Sequence, residues 1–103
     1  MINPQKIGIV KKYKDQLTDL GIPVTKVIIF GSQVKGNPNK WSDLDVCVIS
    51  PTFGVDRLSE RVLLTKISRG ISDEIEPHPM SPADLNDKFS PLSNEIRAYG
   101  IEV

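Results

Sequence analysis

The element that most constrains this chain is Phe30-Gly31-Ser32, ten intervening residues, and then Asp43-Leu44-Asp45. The run before it, Val24 to Phe30 (VTKVIIF), is β-branched and almost wholly apolar, the pattern of a buried strand. Gly31 breaks that strand, and Ser32 can cap a short helical turn through about Lys35. Gly36-Asn37-Pro38-Asn39 supplies a loop, and Asp43 to Ser50 (DLDVCVIS) reads as a second strand. Alternation along that strand puts Asp43 and Asp45 on one side, roughly 6.5–7 Å apart at Cα, with Leu44 and Val46 toward the core. Burying unpaired carboxylates is costly, so two acids at the mouth of an apolar strand ask for a cation or for water.

Hard oxygen donors at this separation suit Mg²⁺ or Mn²⁺, as one ion or as two about 3.5–4 Å apart. Gly31 lets a phosphate approach the backbone closely, and a turn starting at Ser32 offers N–H groups and a hydroxyl. Lys35 adds positive charge one turn on. A Walker-type loop is excluded: Gly31 and Gly36 have its spacing, but Asn37-Pro38 stands where Lys-Ser/Thr belongs.

The remaining elements follow from caps and periodicity. Asn3 and Pro4 start a helix whose Ile7, Val10, Tyr13, Leu17 and Leu20 form one apolar face, ended by Gly21 and Pro23. Asp56 caps a helix from Arg57 to about Arg69, closed by Gly70. "DEIEPHP" is a shorter strand whose Pro77 and Pro79 predict an edge position or an exit from the sheet. "SPAD" (Ser81 to Asp84) has the form of an N-cap box. "SPLSNEIRAYG" repeats the Ser-Pro start before a final helix ending at Gly100. The order helix, strand, strand, helix, strand, helix predicts an α/β (α+β) fold, a small mixed sheet flanked by helices, with residues 1–103 as a single domain.

A chain of 103 residues suits one domain with a modest core. Thirteen basic and thirteen acidic residues cancel, which gives no support to an extended nucleic-acid surface or an anionic membrane as partner. Cys47 is the lone cysteine, which excludes an intrachain disulfide and metal sites built on cysteine pairs, and points to a reducing cytoplasm. No apolar run approaches the roughly 18 residues of a membrane span, and the early lysines predict no secretory signal.

Gly31-Ser32, the ten-residue interval, Asp43-x-Asp45, the "IEP" strand followed by "SPADL", and the terminal "EIRAYGIEV" together resemble the nucleotidyltransferase superfamily that includes DNA polymerase β. Over nearly its full length the chain is similar to the minimal nucleotidyltransferase domains of prokaryotes. The resemblance implies a polymerase β-like fold in which Gly31 and Ser32 hold the β- and γ-phosphates and Asp43 and Asp45 ligate metal ions. It also implies a third carboxylate on the next central strand, which ligates the catalytic metal and helps deprotonate the attacking hydroxyl. Glu76 fits that place best, with Glu74 second; the family more often has aspartate there. The family's arginine-rich turn is here Gln33-Val34-Lys35, leaving Lys35 as the cationic equivalent without a planar bidentate grip on phosphate.

The activity implied is Mg²⁺-dependent transfer, with two ions, of a nucleoside monophosphate (AMP from ATP) to a hydroxyl of a partner protein such as a HEPN-type toxin. The alternative is an antitoxin module that binds nucleotide or toxin without turnover. A third reading, one subunit of an aminoglycoside- or tRNA-modifying transferase, requires an acceptor pocket that no residue pattern locates. The lack of net positive charge argues against templated polymerisation. Among the other residues, His78 reads as a strand-end residue between prolines, Cys47 as small packing, Trp41 as packing over the Asn37–Lys40 loop rather than stacking on a base, and Asp73 and Asp84 as turn or cap residues. The sequence leaves the acceptor, the base preference and homo-oligomer formation open.

Overall fold

The computed structural model describes residues 2–35 and 43–103; the expected loop at Gly36–Asn39 and Trp41 lie outside them. Helix α1 (Pro4–Asp19) begins where the Asn3 side chain accepts a hydrogen bond from the Gln5 amide, as its capping residue requires. Strand β1 (Lys26–Phe30) ends at Gly31, and Ser32–Lys35 form the single turn α2. Strand β2 (Leu44–Ile49) is followed by helix α3 (Arg57–Arg69), capped by Asp56, whose side chain accepts from the Ser59 amide. Strand β3 (Ile75–Met80) leads to the short helix α4 (Pro82–Leu85), where Ser81 and Asp84 form a reciprocal capping box. Helix α5 (Pro91–Tyr99), capped by Ser90, and the two-residue strand β4 (Ile101–Glu102) complete the chain.

The strands form one mixed sheet in the order β3-β2-β1-β4. β1 pairs antiparallel with β2 and β4, and β2 pairs parallel with β3. β3 is therefore an edge strand, as its prolines predict. The Leu44 amide donates to the Glu74 carbonyl and the Ser50 amide to that of Met80, so the even-numbered residues of β3 face β2. Pro77 and Pro79 then fall on the outer edge, where a missing N–H costs no ladder bond and discourages a further strand.

The expectation lacked β4. Two residues carry no periodicity, and only the free edge of β1 makes them a strand, through Ile28↔Glu102 and Ile29↔Ile101. Gly100 permits that return: a Cβ there would collide with Ile28 Cγ2 and the Ile96 carbonyl.

Both faces of the sheet are covered. On one, Val27, Ile29, Leu44, Val46, Val48 and Ile75 pack with Val10, Tyr13 and Leu17 of α1 and Leu64 of α3. The buried Tyr13 hydroxyl donates to the Leu64 carbonyl at 2.8 Å. On the other, Ile28, Phe30, Cys47, Ile49 and Met80 pack with Leu85 and Ile96. Among the described residues no helix is long and apolar enough to cross a membrane.

Candidate active site

Phe30, Asp45, Glu76 and His78 all belong to the second face, since alternation gives Asp45 the side of Cys47, and Glu76 and His78 the side of Met80. The register sets Asp45 beside both Phe30 and Glu76, and Cys47 beside His78. Each of Asp45, Glu76 and His78 offers a donor atom within 4.8 Å of the others. His78 Nε2 and Asp45 Oδ1 are 3.2 Å apart, and the Phe30 ring stands edge-on to the imidazole at 5.1 Å. The Arg61 guanidinium of α3 donates to Glu76 Oε1 at 2.9 Å.

Gly31 lies against this cluster with φ +80°. A Cβ at that position would run into Asp45 Oδ2, with the carboxyl carbon at 3.3 Å. Glycine is required twice over, by the left-handed backbone and by the closeness of the carboxylate. The Gly31 carbonyl accepts from the amides of Val34 and Lys35, both at 3.1 Å, which closes α2 and puts the half-buried Ser32 at its start.

Asp43 sits just before β2 and is exposed. It lines a depression of about 300 Å³ shared with Glu76, Arg61, Arg69 and Asp73. Glu74 precedes β3, and its carboxylate pairs with Lys6 of α1; it is not in the cluster with Asp45. Lys35 pairs with Glu95 and lies 5.7 Å over the Tyr99 ring, and its hydrogen bond to Glu95 raises its pKa. Cys47 is fully buried and packs beneath the site; burial, helped by Asp84, pushes its thiol up to about 12. Such a thiol supplies no nucleophile near neutral pH. Asp84 caps α4 and also accepts from Arg57 at 3.1 Å.

His78 and Arg61 are the residues that sequence reasoning passed over. The signal for His78 was present: Glu76-x-His78 on β3 repeats the spacing of Asp43-x-Asp45, whose second acid lies on β2. Arg61 carried no comparable signal, because helix α3 must dock before it meets Glu76.

The donor set fits a divalent cation. Two carboxylates and an imidazole from adjacent strands converge on one small volume, and the neighbouring backbone is stripped of its side chain at Gly31.

The family model of the nucleotidyltransferase domain matches residues 10–93, a span that takes in β1, β2, β3 and every residue of this cluster. The chain belongs to the nucleotidyltransferase domain family. A nucleotidyltransferase domain of this kind also accounts for the fold. A structure from Sulfolobus solfataricus, assigned to the nucleotidyltransferases, superposes with a TM-score of 0.62 at 18% identity, covering 77% of this chain and 69% of its own. A chain of a toxin–antitoxin complex crystallised with AMP-PNP superposes with a TM-score of 0.64 at 20% identity, covering 98% of this chain and 72% of its own. No curated protein matches the sequence.

Proposed function

We propose that this nucleotidyltransferase domain transfers AMP from ATP to a hydroxyl on a partner protein, and that the pair forms a toxin–antitoxin system with a HEPN-type toxin as acceptor. The observation that carries the reading is the convergence of Asp45 and Glu76 from neighbouring strands beside the glycine that opens the Gly31-Ser32 turn. The toxin–antitoxin neighbour supports the partner, and its AMP-PNP supports an adenine nucleotide. Leu58, Val62 and Leu63 stand exposed on α3, apolar surface that a partner protein can cover.

In this mechanism Asp43, Asp45 and Glu76 would hold the divalent ions, Mg²⁺ with Mn²⁺ as a substitute. Bound there, the divalent ions would supply charge compensation for the attacking and departing oxygens. Ser32 and the amides after Gly31 bind the β- and γ-phosphates and orient the α-phosphorus. The acceptor hydroxyl oxygen attacks that phosphorus, the bond to the bridging oxygen of pyrophosphate breaks, and pyrophosphate leaves with its electron pair. The hydroxyl proton passes to the Glu76 carboxylate. Arg61 orients Glu76 from α3. Lys35 reaches the triphosphate only by leaving Glu95.

The toxin–antitoxin neighbour also supports a second reading, a module that binds nucleotide or toxin without turnover. Incubation with α-labelled ATP, Mg²⁺ and the co-encoded partner separates the two. Transfer predicts label on the partner, lost when both Asp43 and Asp45 become Asn. A domain that neutralises the partner in cells equally well with and without those aspartates is a binder.

A further inference from the structure

We propose that His78 is a ligand of the divalent ion, making the site a mixed oxygen–nitrogen centre that favours Mn²⁺ and other first-row ions over Mg²⁺. The inference rests on the reading of Asp45 and Glu76 as the metal-binding acids, and it adds a donor that the two-aspartate motif does not contain.

His78 follows Glu76 by two residues on β3, so the strand's alternation turns both side chains to the face of Asp45. Its Nε2 lies 3.2 Å from Asp45 Oδ1. Two donors at right angles on an ion with bonds of about 2.1–2.2 Å stand roughly 3 Å apart. The histidine–aspartate pair already has that separation. The imidazole and the Asp45 side chain are only 21% and 25% exposed, and Phe30 packs edge-on against the ring. The ring is thus aimed at the carboxylates rather than free to turn into solvent. Mg²⁺ prefers all-oxygen surroundings and sheds water reluctantly, whereas imidazole nitrogen suits first-row transition ions. Cys47, the other soft donor on this face, is buried among apolar side chains, which leaves His78 to provide the preference.

The chain has a single histidine, so the test needs no assignment. Tag-free full-length protein is loaded with Mn²⁺, alone and with a non-hydrolysable ATP analogue, and electron spin-echo modulation is recorded with natural-abundance and ¹⁵N-histidine-labelled protein. A directly bound imidazole gives ¹⁴N modulation that changes on ¹⁵N labelling. In calorimetric titrations His78→Asn weakens Mn²⁺ binding by about tenfold or more and changes Mg²⁺ binding by less than about threefold. Bound Mn²⁺ without nitrogen modulation, equal losses for both ions, or no Mn²⁺ binding in either condition overturns the proposal. A protein that labels its partner yet lacks nitrogen modulation keeps the transferase reading and loses this one. A protein with nitrogen modulation and no transfer does the reverse.

Discussion

The two faces of the sheet make a contrast within one set of strands. On the α1–α3 face every inward residue of β1 and β2 is aliphatic and fully buried. On the α4–α5 face the same strands bury Ile28, Phe30, Cys47 and Ile49, but the row ends in Asp45, Glu76 and His78. The first face is closed along the strands by a sixteen-residue helix and a thirteen-residue one. The second is covered by helices of four and nine residues, which leave the polar end only half-buried. Side-chain alternation lets one strand carry stability on one side and chemistry on the other, and the shorter cover keeps the chemical side open.

Substitutions on the two sides should therefore separate activity from stability. The largest effect on activity is expected from Asp43→Asn with Asp45→Asn: transfer of labelled AMP falls by about 10²-fold or more, while the melting temperature changes little. A parallel collapse in thermal stability would show that the aspartates are part of the core's support. Leu64→Ala on the opposite face should do the converse, costing about 2–5 kcal/mol by cavity formation with transfer per folded molecule retained. Chemical denaturation and an assay at matched folded fraction measure both.

Gly31→Ala joins the two faces' properties, because it forces a left-handed backbone on alanine and pushes a methyl into Asp45. It should cost about 1–2 kcal/mol and reduce transfer. Wild-type activity in that variant would show that the Gly31–Asp45 approach is incidental. Glu74→Gln sharpens the choice of third carboxylate. It breaks the pair with Lys6, worth about 0–1 kcal/mol at a partly exposed site, and should leave transfer unchanged, whereas Glu76→Gln should impair it. Cys47 gives the smallest signal: with its thiol pushed up to about 12 by burial, alkylation of the native protein at pH 8 should be slower than that of the unfolded chain, and Cys47→Ala should not reduce transfer.

Local rules were sufficient for most elements. Asn3, Asp56, Ser81 and Ser90 are caps wherever a short polar side chain precedes Pro or an apolar period, and each starts its helix in the structure. The strand ending at Gly31 and the acidic start of the next were equally readable, since buried strands and glycine breaks leave dense composition signals. β4 was not, because its identity comes entirely from the edge it joins. The placements of Asp43 and Glu74 were not readable either. Both lie just before the strands that should have oriented them, where alternation no longer dictates direction and Lys6 is at hand for Glu74.

What the amino-acid order determined alone was everything within reach of a few residues: helix starts, strand periods, the Gly31 turn and the acids that follow it. Which strands became neighbours, and in what register, was decided only when α1 and α3 closed one face and α5 the other. That step brought Glu76 and His78 to Asp45 and Arg61 to Glu76, partners 15 to 33 residues apart, because such contacts depend on the packing of the whole sheet and its helices and not on any local preference.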